Sequence, residues 1–458
     1  MSTVTDSQIF GNIFSTPESS SIWSDRTRTS YYLKFESALA TAQGRVGVIP
    51  EKATKAIVDK CDIKSIDMEE LRQETERIGY PVLPLVKQLV KLVNEAEPGE
   101  NLGEWAHWGA TTQDVTDTAT VLQLRDTCSL ISKSLNEIVF ALEESAQKYA
   151  SIPMVARSNL QQAVPMTFGF KLARLLATFK RHQQRLSEIL SRLLVLEFGG
   201  AAGTLATLCD APSTNTSTAL RAQEELAKEL DLGIPDIAWH TERDRICETG
   251  AFFALLAGTC SKFALDVKLL MQTEISEVSE PFYPHRGSSS TMPQKRNPIA
   301  SVYITAMSST IRQLSAALFD AMVEDHERST GPWEIEWIVL PQISTMTHAV
   351  LKYTLEVVKG LEVHPEKMKG NLELTKGLVV SEAVMMGLGK VIGRQVAHDL
   401  VYDLCRKALK EDRPLLELLI EDEEVKKAGL TEEELRRLCD PANYLGLSEE
   451  MVRRVVHE

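Results

Sequence analysis

Cysteine is scarce in this sequence, and its placement argues against the functions that depend on it. The seven cysteines are odd in number and widely scattered, and no two form a Cys-x-x-Cys pair. Disulfide frameworks use even numbers of cysteines, and structural zinc sites use closely spaced ones. We therefore predict reduced, mostly packed thiols, and no metal centre.

Positive charge is also in short supply. The formal net charge is -14 at pH 7, and no dense Lys/Arg stripe with interleaved aromatic residues interrupts the acidic background. Such a chain repels a phosphate backbone, so we expect no nucleic-acid partner. If the ligand is a small anion, the protein must gather its cations locally around the site.

Long apolar runs are missing as well. The first twenty residues carry neither a basic n-region nor an apolar h-region, and no run of about 18 apolar residues occurs. The sequence therefore predicts a cytoplasmic protein with no membrane partner.

Proline is absent from four long stretches of the sequence. They lie between Pro98 and Pro153, Pro165 and Pro212, Pro235 and Pro281, and Pro298 and Pro332. Each stretch can hold an uninterrupted helix, because an interior proline removes a helical hydrogen bond. Apolar residues recur there at helical spacing, and no alternating strand pattern is found. We predict an all-α fold.

Shorter, proline-broken helical segments flank these stretches. Asp25 to Val46 is predicted as a helix, and Thr431 with Glu434 forms a capping-box pattern near the C-terminus. We predict three helical domains. They are an N-terminal domain (1–105), a central long-helix bundle (106–355) and a C-terminal domain (356–458).

A polar loop, residues 284–298, lies between two of the predicted long helices. Gly287 and the three following serines can expose successive backbone N–H groups, which bind anions, while Lys295 and Asn297 add a charge and an amide. The alternative is a flexible serine-rich linker with a solvated basic end. The two prolines of the loop restrict its backbone and favour a binding role.

Residues 288–298 resemble the signature of the fumarase/aspartase superfamily, Gly-Ser-Ser-x-Met-Pro-x-Lys-x-Asn-Pro, with Ser288 in the glycine position. The resemblance implies an all-α fumarase/aspartase-like fold. It also implies that Ser289 is the catalytic general base on a mobile loop, and that Lys295 and Asn297 hold a substrate carboxylate.

Residues 107–114 are similar to the first conserved region of that superfamily, which implies carboxylate-binding roles for His107, Thr111, Thr112 and Gln113. On their own, these residues are equally typical of a helix N-terminus capped by threonine. His107 is equally compatible with a structural histidine.

Residues 156–165 are similar to the second region, with one departure. Where superfamily members have Thr-His, this chain has Ser158-Asn159, followed by Gln161. By resemblance, these three residues bind substrate. Asparagine cannot titrate near neutral pH, so the histidine acid is missing. Expelling an amine or an alkoxide needs a proton donor, whereas expelling carbon dioxide does not.

Further segments resemble the branch that holds adenylosuccinate lyase and 3-carboxymuconate cycloisomerase. The nucleotide-binding Arg-Tyr pair of adenylosuccinate lyases is absent. Residues 325–328 and 440–446 resemble the fungal trans-aconitate decarboxylases, which implies decarboxylation of trans-aconitate to itaconate and makes Arg328 a further anion partner.

This resemblance leaves two alternatives open. One is a cycloisomerase or C–N lyase acting on another polycarboxylate, and the other is an inactive scaffold. The family also implies a homotetramer with shared active sites and a small polycarboxylate substrate. We expect no organic cofactor, since no nucleotide-binding glycine-rich turn is present. For His240, His285 and His326 the sequence leaves a catalytic or a structural role open, and they rank low as site candidates because most surface histidines have neither role.

Overall fold

The protein is almost entirely helical in its computed structural model, which describes residues 4–209 and 216–457. Over these residues the chain forms nineteen α-helices and four short β-strands. The predicted all-α class is therefore confirmed.

Six helices come first along the chain, and all except the third, which has 22 residues, are short. Prolines or capping residues separate them. They are α1 (Gly11–Phe14), α2 (Pro17–Ile22), α3 (Asp25–Val46), α4 (Glu51–Lys60), α5 (Met68–Ile78) and α6 (Val82–Ala96). The side chains of Thr16, Ser24 and Asp67 accept backbone N–H groups at the starts of α2, α3 and α5. The predicted helix from Asp25 to Val46 is confirmed.

The longest helices follow. They are α7 (Thr112–Lys148), α8 (Phe168–Leu193), α9 (Thr216–Leu230), α10 (Asp244–Leu270), α11 (Ile299–Ala321) and α12 (Pro332–Gly360). Each of the four proline-poor stretches contains one of α7, α8, α10 and α11, as predicted. The sequence did not predict α12, because this 29-residue helix has Pro341 in its interior.

Two small antiparallel sheets interrupt the helices, and the sequence did not predict them. Strand β1 (Pro153–Ser158) pairs with β2 (Gln161–Thr167), and β3 (Val278–Ser279) pairs with β4 (Glu362–Val363). In β1 the buried residues Met154 and Val155 are adjacent, and an irregularity lies between Val155 and Arg157. The two-residue period that identifies a strand is therefore absent.

After α12 the helices shorten again, as predicted. They are α13 (Pro365–Glu373), α14 (Ser381–Ile392), α15 (Arg394–Glu411), α16 (Leu415–Glu421), α17 (Glu423–Lys427), α18 (Glu432–Leu438) and α19 (Ser448–His457). The capping box is confirmed, because the Thr431 side chain accepts from the Glu434 backbone and the Glu434 carboxylate accepts from the Thr431 backbone.

The chain forms two compact units, each made of separate parts of the sequence. The first unit comprises Met1–Ser134, His182–Cys260 and Ala306–Lys352, and the second comprises Leu135–Arg181, Ser261–Thr305 and Tyr353–Glu458. The core of the first unit includes Phe35 and Phe198, packed edge to face. The second unit has a core around Leu388, Leu415 and Leu419. The three-domain division stays a prediction.

Helix α10 is the one helix in the described ranges that is long and apolar enough to cross a membrane by length and composition. Half of its most apolar stretch is buried within the chain. Core helices of globular proteins share these properties, so α10 is weak evidence for a membrane span.

Candidate active site

The first unit holds His107, Thr111, Thr112, Gln113 and Arg328. Helix α7 begins at Thr112, so this segment is a helix N-terminus, as one interpretation predicted. The hydroxyls of Thr111 and Thr112 are half-buried and make no hydrogen bond within the described ranges. Helix N-termini attract anions, so both hydroxyls are available to a ligand carboxylate.

Gln113 is buried, and protein groups occupy its amide. Its Nε2 donates to Asp117 Oδ2 at 3.0 Å and to the His240 carbonyl at 2.6 Å. Its Oε1 accepts from Arg328 Nη1 at 3.0 Å. Both N–H groups are thus used internally. Gln113 acts on a ligand mainly by orienting the Arg328 guanidinium.

Arg328 is half-buried in the segment that leads into α12, and only neutral groups contact it. Besides Gln113, its Nη2 donates to the carbonyl oxygens of Gly200 at 3.1 Å and Ala201 at 3.2 Å. No carboxylate of the described residues lies within ion-pair distance of it. A fixed guanidinium without a counter-ion suits a ligand carboxylate.

Asp114 holds the start of α7 in place. This fully buried carboxylate accepts from the backbone N–H groups of Thr111 at 2.9 Å, Gly199 at 3.0 Å and Gly200 at 3.0 Å, and it lies 2.7 Å from His240 Nε2. It therefore links the threonines of the helix start to the glycine segment whose carbonyl oxygens contact the arginine.

Asp114, Glu197 and His240 form a buried group whose ligand atoms lie within 4.8 Å of one another, the only such metal-competent group in the described ranges. Glu197 Oε1 lies 3.2 Å from His240 Nε2, and Glu197 Oε2 accepts from the Trp239 N–H at 2.7 Å. Burial raises the pKa of Glu197 to about 9, so this carboxyl is protonated near neutral pH. Since Asp114 is saturated by N–H donors, we interpret the group as a hydrogen-bond network and His240 as structural.

A second buried network contacts Gln113 through Asp117. Arg243 donates to Asp117 at 2.7 and 3.0 Å and to Glu336 at 2.6 and 2.9 Å. Burial by itself lowers the pKa of Arg243, but the two carboxylates outweigh burial and raise this pKa well above its ordinary value. Burial raises the pKa of nearby Glu324 to about 8. The network fixes Asp117, which in turn fixes the Gln113 amide.

His107 is held by a buried acid. Its Nδ1 lies 2.6 Å from Glu36 Oε1, and Glu36 is fully buried. Burial by itself lowers the pKa of His107, but the Glu36 carboxylate outweighs burial and raises this pKa. The Nε2 atom has no partner within the described ranges. His107 is thus held structurally on one side and available to an anion on the other.

The second unit holds the signature loop, whose base is closed. Ser288 and Arg296 form an isolated antiparallel bridge. The Asn297 backbone N–H and Nδ2 both donate to the Gly287 carbonyl, at 3.1 and 2.8 Å. Gly287 has a φ of 67°, and a Cβ there would lie 2.5 Å from the Asn297 carbonyl oxygen. Only glycine fits this position without a shift of the backbone.

Ion pairs and hydrogen bonds anchor both ends of the loop. Arg286 pairs with Glu356. Arg296 donates to the Glu280 carbonyl at 3.0 Å and pairs with Glu362 at 3.3 Å. A flexible linker would lack these contacts, so they favour the binding interpretation of the loop.

Ser289 is surrounded by hydrogen-bond donors. Its Oγ accepts from the backbone N–H groups of Thr291 at 3.2 Å and Met292 at 3.0 Å. The exposed Lys295 follows in the same loop and has no ion-pair partner in the described ranges. Two N–H donors and a nearby cation are the groups that would stabilise negative charge on this oxygen.

Ser158, Asn159 and Gln161 lie at the tip of the β1–β2 hairpin. Ser158 pairs with Gln161, and the two turn residues Asn159 and Leu160 have φ angles of 52° and 64°. Asparagine tolerates this left-handed conformation better than most residues, whereas Leu160 adopts it at a cost and is 76% exposed. Asn159 therefore also has a conformational role.

A buried ion pair fixes the arm of the hairpin. Arg157 donates to Glu277 at 2.7 and 3.0 Å, and Glu277 is fully buried. Asn371 Nδ2 also donates to Glu277, at 2.7 Å, and the Asn371 carbonyl accepts from Gln162 at 2.9 Å. These four residues tie β1 and β2 to α13 and to the residues before β3.

The predicted residues form groups within each unit. Gln113 and Arg328 are in direct contact, as are Ser158 and Gln161. Within the second unit no hydrogen bond of the described residues joins Ser289 to the hairpin tip. Sequence reasoning missed the supporting carboxylates, because a carboxylate that accepts N–H groups has no motif. They are Glu36, Asp114, Asp117, Glu277 and Glu336.

Comparison with known proteins identifies the family. A family model described as Lyase matches residues 13–312, and one described as Adenylosuccinate lyase C-terminus matches residues 377–455. The chain is 53% identical to trans-aconitate decarboxylase 1 of Mycosarcoma maydis, over 97% of this chain and 88% of that protein. It is 42% identical to a 3-carboxy-cis,cis-muconate cycloisomerase of Pseudomonas aeruginosa, over 100% of this chain and 98% of that protein.

Solved structures agree with these matches. The crystal structure of 3-carboxy-cis,cis-muconate lactonizing enzyme from Pseudomonas putida has a TM-score of 0.90 and 40% identity, covering 98% of each chain. The chain therefore belongs to the lyase family of the fumarase/aspartase superfamily, as the signature loop indicated, and is an enzyme of the lyase class.

Proposed function

We propose that the protein decarboxylates trans-aconitate to itaconate. The observation that carries this proposal is the 53% identity to a trans-aconitate decarboxylase over 97% of the chain. The absence of the superfamily histidine supports it, since Asn159 occupies that position and carbon dioxide leaves without a proton donor.

The chemistry follows from the substrate. In trans-aconitate, the methylene that bears one carboxylate adjoins an alkene conjugated to another carboxylate. Breaking the bond to the methylene carboxylate releases carbon dioxide and sends the electron pair through the alkene onto the conjugated carboxylate. One proton then adds to the former alkene carbon. The trianion plus one proton thus gives the itaconate dianion and carbon dioxide.

The dienolate intermediate concentrates negative charge on one carboxylate, and the loop is suited to stabilise it. In our proposal Ser289 gives the proton to carbon and regains one from solvent. While deprotonated, its oxygen is stabilised by the N–H groups of Thr291 and Met292 and by the charge of Lys295. Asn297 keeps the loop closed through one side-chain N–H, and its second side-chain N–H would bind a substrate carboxylate.

The other predicted residues would hold the substrate carboxylates. Arg328, oriented by Gln113, supplies a charge without a counter-ion, and Thr111 and Thr112 supply hydroxyls at a helix N-terminus. His107 adds a donor on Nε2. The hairpin tip supplies the polar side chains of residues 158, 159 and 161. No metal or organic cofactor is part of this proposal.

We also propose a homotetramer with shared active sites, working in the cytoplasm on a small polycarboxylate. Large exposed apolar side chains occur on the long helices, which supports packing against other copies. In the first unit they are Leu255, Phe319 and Ile338, and in the second Phe140, Leu265 and Val302.

A second candidate is 3-carboxy-cis,cis-muconate cycloisomerase activity. It is favoured by the 42% identity to such an enzyme over the whole chain. That reaction releases no carbon dioxide, so the two candidates give different products.

The test is carbon dioxide release from trans-aconitate by the full chain, with 3-carboxy-cis,cis-muconate assayed in parallel. We expect carbon dioxide and itaconate in equal amounts, and a loss of at least about 10²-fold in Ser289→Ala. Ser288→Gly is the matched control, because the superfamily signature carries glycine there, and it should stay active. Turnover of the muconate alone would refute the decarboxylase proposal.

Shared sites have their own test. Ser289→Ala and Arg328→Gln lie in different units, and each should be nearly inactive alone. If one site takes these residues from different copies, refolding a mixture of the two variants restores part of the activity. No recovery in mixed oligomers would contradict shared sites.

A further inference from the structure

A cavity of about 400 Å³ lies in the first unit, within the size range of small-molecule sites. Residues of α3, α5, α7 and α12 line it, together with Trp23 just before α3. None of the predicted active-site residues is among them. The cavity is therefore distinct from the set of predicted active-site residues, although Glu336 of its wall belongs to the Arg243 network.

The wall of the cavity is mostly apolar and aromatic. Trp23, Tyr32 and Trp337 contribute rings, and Leu71 and Leu340 contribute aliphatic surface. Tyr32, Leu71 and Leu340 are themselves buried in the fold. Burial raises the pKa of Tyr32 to about 12, so its hydroxyl stays neutral. A ligand that fits this wall has an apolar body.

Most of the charged residues that line the cavity have ion-pair partners. Arg72 pairs with Glu76 at 2.7 Å, and Glu336 accepts two hydrogen bonds from Arg243. Arg28 is different. This half-buried residue lines the cavity, and its guanidinium has no ion pair and no side-chain hydrogen bond within the described ranges.

One acid opposes Arg28. Asp25 also lines the cavity, one helical turn earlier on α3, and no salt bridge joins the two side chains. Asp25 is exposed, so water screens its charge more than that of the half-buried arginine. Arg28 is therefore the lining cation that has no ion-pair partner in the described ranges.

We propose that this cavity is a second binding site, specific for a small carboxylate with an apolar body, in which Arg28 binds the carboxylate and the rings enclose the body. The pairing follows from chemistry, because a guanidinium binds a carboxylate through two parallel hydrogen bonds while the apolar body leaves water.

The test uses phenylacetate as the probe, titrated into the full chain by calorimetry and by tryptophan fluorescence. The neutral isostere phenylacetamide is the ligand control. Arg28→Gln should weaken phenylacetate binding by at least about 10-fold, the value of one charge-assisted hydrogen bond. Arg26→Gln, an exposed arginine on the same helix, should bind as wild type. Equal binding of the acid and the amide, or full binding by Arg28→Gln, overturns the proposal.

A second variant tests the same cavity independently, in case Arg28→Gln does not fold. Thr120 lines the cavity from α7, and Thr120→Leu fills part of the space without changing a charge. It should also weaken phenylacetate binding, with an unchanged far-ultraviolet circular dichroism spectrum. Wild-type binding by both Arg28→Gln and Thr120→Leu would place the ligand elsewhere.

The site must also be separated from the active site. Phenylacetate should bind to Ser289→Ala as it binds to wild type, and saturating trans-aconitate should not displace it. Displacement by trans-aconitate would assign the probe to the active site and refute a second site. The Arg28→Gln and Thr120→Leu tests keep their meaning if trans-aconitate proves not to be the substrate, because neither residue belongs to the proposed active site.

Discussion

Removing Arg157 should destabilise the second unit strongly, because it leaves a carboxylate buried without its cation. Glu277 is fully buried and Arg157 is 21% exposed, so water screens little of their interaction. Breaking a buried ion pair by removing one partner costs about 3–5 kcal/mol. The partial exposure of the arginine places Arg157→Ala near the lower end, at about 3 kcal/mol.

The matched control is an exposed arginine–carboxylate pair that also has two hydrogen bonds. Arg192 also makes two hydrogen bonds to one carboxylate, that of Glu248, but the two side chains are 53% and 38% exposed. Exposed ion pairs contribute about 0–1 kcal/mol. Arg192→Ala should therefore stay within about 1 kcal/mol of wild type, although it loses the same number of hydrogen bonds to its carboxylate.

Urea unfolding at one fixed protein concentration measures both variants, since oligomers unfold in a concentration-dependent way. In Arg157→Ala/Glu277→Gln, the buried charge is removed together with its partner, so part of the loss should return. Arg157→Ala should also lower activity, because Arg157 fixes the strand that carries Ser158 and leads to Asn159. A loss below about 1 kcal/mol, or equal losses in Arg157→Ala and Arg192→Ala, would refute the reasoning.

Three further predictions test other parts of the molecule. Since Glu36 raises the pKa of His107, this pair stabilises the fold fully below the unfolded pKa of about 6.5, and the contribution is lost as pH rises through the folded pKa. The stability gap between wild type and His107→Gln in urea should therefore shrink from pH 6 to pH 9, and a gap independent of pH would contradict the pairing. Gln113→Glu places an oxygen against Asp117 in place of an N–H donor, so kcat/KM for trans-aconitate should fall roughly 10- to 100-fold, and wild-type kinetics would exclude the positioning role. Cys209 is the one exposed cysteine of the described residues, so iodoacetamide should modify it first by peptide mass spectrometry, and equal labelling of buried thiols would be inconsistent with the structure.

Much of the fold could be predicted from local patterns. Long proline-poor stretches located α7, α8, α10 and α11, because proline is the one residue that a helix interior rarely tolerates. The same rule missed α12, where Pro341 lies inside a helix that its neighbours continue on both sides. The β1–β2 hairpin was missed since its burial pattern does not alternate.

Some residues of the candidate site could be found from the sequence, and others only from the structure. Ser289, Lys295 and Asn297 could be named as candidates because they lie within one short segment that resembles the superfamily signature. Asp114 and Glu277 were not, because their partners are backbone or side-chain groups distant in the sequence, and only packing brings them together.

By itself the sequence determined the helical class, the position of the signature loop and the family, because each depends on residues close together along the chain. Only the tertiary structure decided that Gln113 orients Arg328, that Glu36 holds His107, and that Arg28 borders a cavity without a counter-ion. These are relations between residues far apart in sequence. They depend on which charges are buried together, and burial is a property of the folded chain.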